Sequence, residues 1–249
     1  MDVYFIDRAI SWGQGISPRE PHDTKGDAMR VAIIGPGRIG GNTARLLGAA
    51  GHETMLSFAR DHARLERLAA GIDGCAVAGS PAEAVAFGEV VVLSVPWSAI
   101  PEALDQAGSL RGKIVIDTTN QFGSGAKPRP GETAAQYNAV RMPGARYTKS
   151  FNTLTAAFQA EAASRTAVER VVQWLCGDDL EAKFVVAGLI EDAGFQPVDL
   201  GGTADCAVME SPRRPGAVYG EEYRLLDALA VVDAVRDGKP IPPAPNYEV

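Results

Sequence analysis

A short apolar strand stopped by glycine, a glycine-rich turn opening a helix, and repeated strand–helix alternation from residue 29 onward predict an α/β protein. The expected architecture is a doubly wound, mainly parallel sheet with a small C-terminal α/β extension. The chain of 249 residues divides into an N-terminal arm at 1–28, a main α/β unit at 29–150 and the extension at 151–249.

Arg30–Gly35 is an apolar run ending in glycine, the pattern of a strand buried on both faces. Asn42–Ala50 reads as a helix closed by Gly51, and Glu53–Ser57 as the second strand. Asp61–Ala70 is a second helix with Leu65 and Leu68 on one face, and Val77 marks a short third strand. At Ser80-Pro81-Ala82-Glu83, serine caps a helix, proline takes its first position and glutamate completes a capping box. Glu89–Val95 and Lys113–Asp117 follow as central strands.

Residues 120–145 are rich in glycine, proline and polar groups, which predicts a long loop with one helix near Ala134. Loops of that length in a compact domain are commonly functional. Tyr147–Phe151 and Arg170–Leu175 read as strands, Asp178-Asp179-Leu180-Glu181 as the start of a helix running to Ala193, and Gln196–Leu200 as a last strand. The proline-rich tail from Lys239 is expected to dock on the surface.

Composition narrows the function. The formal net charge of −7 argues against a nucleic-acid or membrane-surface partner, and 46% hydrophobic residues can fill a sizeable core. Cys75, Cys176 and Cys206 are widely spaced, which is the usage of small buried residues in a reducing compartment, and no metal site is expected. No apolar run reaches the roughly 18 residues of a membrane span. Asp2, Asp7 and Glu20 interrupt the first 28 residues, so these do not read as a secretory signal, and Gly13–Lys25 reads as a flexible arm. The expected address is cytoplasmic.

Gly35-Pro36-Gly37-Arg38-Ile39-Gly40 fits G-x-G-x-x-G directly after a strand and at the opening of a helix, the fingerprint of a Rossmann dinucleotide-binding unit. Gly35 permits the tight turn, Gly37 lets the backbone approach a pyrophosphate, and Gly40 allows close strand–helix packing. The helix N-terminus offers free N–H groups to the phosphates. The end of the second strand then selects the cofactor. An NAD enzyme usually carries Asp or Glu there, whereas this chain has Ser57-Phe58-Ala59-Arg60. Ser57 can bond a phosphate oxygen and Arg60 can pair with a 2′-phosphate, so the expected cofactor is NADP(H). Asp61 reads as a helix cap pointing away, and Arg38 can add charge beside the same phosphate.

Ser94-Val95-Pro96-Trp97 and Asp117-Thr118-Thr119-Asn120 end two strands at the carboxyl edge, where open α/β sheets bind ligands. Ser94, Val95 and Pro96 are expected to present backbone to the cofactor, and Thr118 and Asn120 to meet the nicotinamide ribose or carboxamide. Trp97 fits either a wall of the site or the core.

These residues together resemble the NADPH-dependent deazaflavin reductases, the coenzyme F420:NADP oxidoreductases, over most of residues 29–230. The resemblance rests on the glycine loop, Ser57 to Arg60, Ser94-Val95-Pro96-Trp97, Lys149-Ser150-Phe151-Asn152-Thr153, Trp174-Leu175-Cys176-Gly177-Asp178 and Gly194 to Gly201. It implies NADP(H) at the glycine loop, a hydride passed to the deazaflavin coenzyme F420 or a flavin-like acceptor, and an acceptor ring over Phe151-Asn152-Thr153-Leu154. Where the reductases carry a His-Thr-Ile-Pro-like stretch, this chain departs from them; it departs again at Met209–Tyr219. A homodimer is the expected assembly.

The second half supplies candidates for the chemistry. His22, His52 and His62 all precede residue 63, so no histidine acid of the alcohol-dehydrogenase kind is available there. Transfer between two rings needs proximity, alignment and exclusion of water rather than a strong acid. Lys149 reads either as an acid/base for a carbonyl or imine or as a strand-edge lysine. Asn152 and Thr153 read either as nicotinamide contacts or as a turn and cap. Arg213 and Arg214 fit an acidic ligand tail or a solvated loop. A small carbonyl or imine reductase with Lys149 or Thr153 as proton source, and a non-catalytic NADP(H) sensor, are the competing readings; the cytosolic domain of transmembrane metalloreductases is a further relative.

Overall fold

The computed structural model describes residues 28–247; the expected N-terminal arm therefore lies almost wholly outside the described residues. Eight strands form one sheet: β1 (Arg30–Ile34), β2 (Glu53–Ser57), β3 (Ala76–Ala78), β4 (Val90–Leu93), β5 (Ile114–Asp117), β6 (Arg146–Lys149), β7 (Val172–Gly177) and β8 (Gln196–Gly201). Their order is β3-β2-β1-β4-β5-β6-β7-β8. Every pair is parallel except β6–β7, where Thr148 faces Gly177 and Lys149 faces Cys176. The fold is thus the expected Rossmann-type α/β fold, and the strands beyond residue 150 extend the same sheet.

The helices are α1 (Arg38–Ala49), α2 (His62–Ala70), α3 (Pro81–Phe87), α4 (Ile100–Ala107), α5 (Ala134–Ala139), α6 (Ala156–Ala162), α7 (Leu180–Asp192) and α8 (Leu225–Arg236). Because strand side chains alternate between faces, each strand feeds two cores. Ile33, Val92, Ile116 and Leu175 pack with Leu47 of α1, Leu65 of α2 and Val186 of α7. Ile34, Leu93, Val115 and Trp174 pack with Val85 of α3, Ile100 of α4, Ala135 of α5 and Val231 of α8. Central strands buried on both faces explain the continuous apolar runs in the sequence.

Local capping fixes several helix starts. Ser80 accepts from the Glu83 N–H while Glu83 accepts from Ser80, the expected capping box. Asp61 caps α2 and Asp179 caps α7 as expected. The helix near Ala134 begins with a second box, Thr133 with Gln136. One start differs: α1 begins at Arg38, four residues before the expected Asn42, because the glycine loop is itself the first helical turn. Helices α6 and α8 and the 3-10 turn Thr203–Met209 were not legible in the sequence. The tail docks through Tyr247, whose hydroxyl accepts from the Arg224 N–H at 2.8 Å and donates to Asp227 of α8. Among the described residues no helix is long and apolar enough to cross a membrane, and no group of three or more His, Cys, Asp or Glu side chains could hold a metal.

Candidate functional site

The carboxyl ends of β1, β2 and β4 surround a cavity of about 570 Å³. That falls within the roughly 300–1,000 Å³ range typical of ligand pockets. It lies at the topological switch point between β1 and β4, where a doubly wound sheet opens a crevice. Its floor is Gly35, Pro36 and Gly37; its walls include Phe58, Arg60, Ser94, Val95 and Pro96, all predicted from sequence.

The glycines have distinct physical duties. Gly35 has φ +89°, and a Cβ there would lie 2.6 Å from the Ser94 carbonyl oxygen and from Val95. A Cβ on Gly40 would lie 2.5 Å from the Gly35 carbonyl oxygen, so its missing side chain lets α1 sit on the β1 turn. A Cβ on Gly37 would meet no protein atom within 4 Å, although Gly37 is the N-cap of α1 and lines the cavity. Nothing in the fold demands glycine at that point; open backbone at a helix N-terminus is what a pyrophosphate requires. The residues present therefore fit a dinucleotide.

Arg60 lines the cavity from the turn after β2, and Arg64 joins it from the first turn of α2. Both are exposed, and neither side chain forms an ion pair or hydrogen bond among the described residues. Phe58 between β2 and Arg60 holds φ +61°, a left-handed conformation that costs a non-glycine residue on the order of 1–3 kcal/mol. Asp61 also borders the cavity; its carboxylate accepts from the Arg64 N–H at 3.0 Å and faces Arg67 at 3.9 Å. The far wall carries Leu65, Leu68 and Ala99 together with Gln106, which donates to the carboxylate of Glu102 at 3.2 Å. Arg64, Ala99 and Gln106 escaped the sequence reading. Arg64 had a legible signal: it lies one helical turn after Arg60.

Other expected contacts lie elsewhere. Ser57 is fully buried and its hydroxyl donates to the Ile33 carbonyl at 3.2 Å, so it braces β2 against β1 and does not reach a phosphate. The carbonyl of Ser57 accepts from the Gly35 N–H and so holds the glycine turn. Arg38 is exposed at the start of α1 outside the cavity lining, and the Ile39 side chain packs into the core beneath it. Trp97 belongs to the core: it is buried, donates from Nε1 to the Ala126 carbonyl at 2.8 Å, and stacks on Tyr137.

The ends of β5 and β6 form a second polar group that does not line the cavity. The Thr118 hydroxyl lies 2.9 Å from Ser94 Oγ and so joins this group to the cavity wall. Asn120 Nδ2 donates to the Asn152 carbonyl at 2.8 Å, and Asn152 Nδ2 donates to Asn120 Oδ1 and to the Met209 carbonyl. Asn152 Oδ1 and Thr153 Oγ1 are buried without a protein partner, an unusual expense in a folded chain. Phe151, at φ +56°, turns the chain between β6 and this pair.

Lys149 is neither a strand-edge surface lysine nor open to a substrate. It is fully buried, donating to the Thr119 carbonyl at 2.7 Å with Asp117 at 3.6 Å. The strand pairing puts Lys149 directly beside Asp117, and both face the crowded layer under α5. Tyr147 donates to the same Asp117 carboxylate, and burial, reinforced by that charge, holds its phenol well above its usual range. Arg213 is paired with Glu221 at 2.6 Å, and Arg214 donates to the Ala207, Glu210 and Pro212 carbonyls, so neither guanidinium waits for an acidic tail.

Comparison with known proteins gives these features a context. Residues 30–121 match the family described as NADP oxidoreductase, coenzyme F420-dependent. A hypothetical protein of Sinorhizobium meliloti is similar in structure, with TM-score 0.67 and 29% identity, covering 79% of this chain and 96% of its own. A candidate F420-dependent NADP reductase from Arthrobacter sp. FB24 has TM-score 0.62 and 23% identity, covering 89% of this chain and all of its own. The rat metalloreductase STEAP3 is 27% identical over 211 residues, 85% of this chain but only 41% of the relative, so the chain spans about two fifths of that protein's length. A reductive aminase of Aspergillus terreus in complex with NADPH shares the fold at 21% identity and TM-score 0.54, covering 72% of this chain and 57% of its own. The family match bears out, over residues 30–121, the resemblance drawn from the sequence.

Proposed function

Starting from the NADP-dependent oxidoreductase family that its residues 30–121 match, we propose that this chain passes a hydride between NADPH and a planar ring acceptor of the deazaflavin or flavin kind. When bound, the nicotinamide supplies the hydride; the protein binds, orients and excludes water. Gly35, Gly37 and the N-terminus of α1 hold the pyrophosphate, Arg60 and Arg64 take the 2′-phosphate, and Phe58, Leu65 and Leu68 flank the adenine. The Ser94–Thr118 contact continues the groove toward β5 and β6, where Asn120, Asn152 and Thr153 meet the nicotinamide half.

One observation carries the choice of acceptor. Of the ionisable groups at the ends of β5 and β6, Asp117 and Lys149 are turned inward and spent on each other and on the backbone. The nearby Glu210 carboxylate is spent likewise, accepting from the Ala134 and Ala135 N–H groups at the start of α5. His52 sits at the opposite edge of the sheet, bonded to the Met29 N–H and Asp192, and His62 lies on α2. A carbonyl or imine reduction needs a strong proton donor beside the reacting carbon. The groups left near this site, the Thr153 hydroxyl and the Tyr219 phenol that burial holds above its usual range, are weak acids. A ring acceptor delocalises the charge of the added hydride and takes its proton from solvent. An exposed aromatic pair supports the same reading. Phe122, 57% exposed, lies 6.1 Å from Tyr219, and these rings follow Asn120 and precede the Gly220 N–H that bonds the Thr153 carbonyl.

The test is NADPH oxidation followed by absorbance with coenzyme F420, with FMN, with ethyl 5-oxohexanoate, and with no acceptor. Turnover confined to the ring acceptors is expected. Turnover with the ketone alone would replace the reading by a carbonyl reductase. Tight NADPH binding without any turnover would replace it by a sensor.

A further inference from the structure

The pair Asp117–Lys149 carries no exposed surface, yet a buried ion pair seldom stabilises a fold better than apolar packing of the same volume. What the pair does with its remaining hydrogen-bonding capacity is therefore informative. Asp117 Oδ1 accepts from the Thr119 N–H at 2.7 Å. Lys149 Nζ donates to the Thr119 carbonyl at 2.7 Å. Asn138 Nδ2 donates to Asp117 Oδ2 at 2.8 Å and faces Thr119 Oγ1 at 3.3 Å, and Tyr147 donates to Asp117 Oδ2 at 2.6 Å. Every polar group of Thr119, its N–H, its carbonyl and its hydroxyl, is thus gripped by this one network.

Thr119 immediately precedes Asn120, and Asn120 is cross-bonded to Asn152 in both directions. Asn120 Oδ1 also faces the Ser211 N–H at 3.3 Å. The network thereby fixes the turn that presents Asn120, and through it the segment bearing the unpartnered Asn152 Oδ1 and Thr153 Oγ1. We propose that Asp117, Lys149, Tyr147 and Asn138 are positioning residues: a buried clamp on Thr119 that sets the Asn120–Asn152 pair for the nicotinamide half of the cofactor. The proposal rests on the hydride-transfer reading above but has a readout that does not need an acceptor.

Lys149→Met alone would leave a buried carboxylate unpaired and impair folding, so the test uses gentler variants. Thr119→Val removes only the hydroxyl grip at constant shape, Tyr147→Phe removes one donor, and Thr119→Ser restores the hydroxyl. Each is titrated with NADPH while nicotinamide emission and anisotropy are read, and hydride transfer to coenzyme F420 is timed in single turnover. The expected result is an NADPH Kd within about twofold of wild type, because the adenosine end is untouched. Bound-nicotinamide anisotropy should fall, and single-turnover rate should drop roughly tenfold or more, since small misplacements of reacting groups are costly. Thr119→Ser should behave as wild type. The inference is overturned if Thr119→Val and Tyr147→Phe lower the melting temperature while anisotropy and rate stay at wild-type values. It is equally overturned if affinity, anisotropy and rate fall in parallel. If wild-type protein binds NADPH but reduces no acceptor, the function above fails while the anisotropy series still decides the clamp.

Discussion

Arg60→Ala and Arg64→Ala should each narrow the preference for NADPH over NADH, and the double variant should no longer distinguish the two. Both guanidinium groups stand at the cavity wall without an ion-pair partner among the described residues, so no salt bridge has to be broken before they meet a phosphate. A hydrogen bond to a charged group contributes about 1.5–3 kcal/mol. Both arginines are exposed, so screening reduces each to about 1–2 kcal/mol at physiological salt. At about 1.4 kcal/mol per factor of ten, each single variant should bind NADPH roughly 5- to 30-fold more weakly. The double variant should lose roughly 20- to 500-fold, less than strict additivity if both arginines share one phosphate. NADH, which lacks that phosphate, should change by no more than about twofold. Fluorescence titration of both nucleotides at two salt concentrations reads this directly, and NADPH affinity alone should weaken with salt. An unchanged NADPH/NADH ratio in the double variant would refute the assignment of the β2 turn as the 2′-phosphate site.

Two further perturbations test separate links. Gly37→Ala should fold as wild type, because its Cβ meets no protein atom, yet lose at least about tenfold in NADPH affinity. Gly40→Ala should instead cost about 1–3 kcal/mol of stability through its 2.5 Å clash with the Gly35 carbonyl; equal melting temperatures for the two would contradict this division of labour. The third concerns acid. Asp179 is gripped bidentately by Arg146 at 2.6 and 2.8 Å, which lowers its carboxyl to about 2. Because the folded value lies below the unfolded one, the stabilisation is complete above about pH 5 and is lost as pH falls through the folded value. The two side chains are 31% and 35% exposed, so the contribution is on the order of 1 kcal/mol after solvent screening. Urea denaturation of Arg146→Met should show that deficit at pH 7 and a much smaller one near pH 2; a constant deficit would remove the ion pair as its cause.

The features legible in the sequence are those whose physics is local. Gly35 to Gly40 could be read because a tight turn and close strand–helix packing require glycine at Gly35 and Gly40, with an open backbone position at Gly37 between them. Ser80 with Glu83, and Asp179 before α7, could be read because a cap is satisfied within three residues. The features that escaped depend on pairing across the chain. Lys149 reads as a strand-edge residue until β6 is placed in register with β5, which sets it beside Asp117 in the core. Ser57 reads as a phosphate ligand until the β1–β2 pairing presents it with the Ile33 carbonyl. The antiparallel seating of β7 on β6 rests on two residue pairs and has no signature in either strand. Helix α8, Leu225–Arg236, mixes valine and alanine so evenly that neither a helical nor a strand period stands out.

The measurement that tests the central claim most directly is the fate of the transferred hydrogen. NADPH deuterated at C4 is mixed with the protein and coenzyme F420, and the reduced deazaflavin is examined by mass spectrometry and NMR. The account predicts deuterium bound at C5 of the reduced ring and a primary isotope effect on the single-turnover rate. Reduction without deuterium at C5, or no reduction of any ring acceptor by protein that binds NADPH tightly, would contradict it.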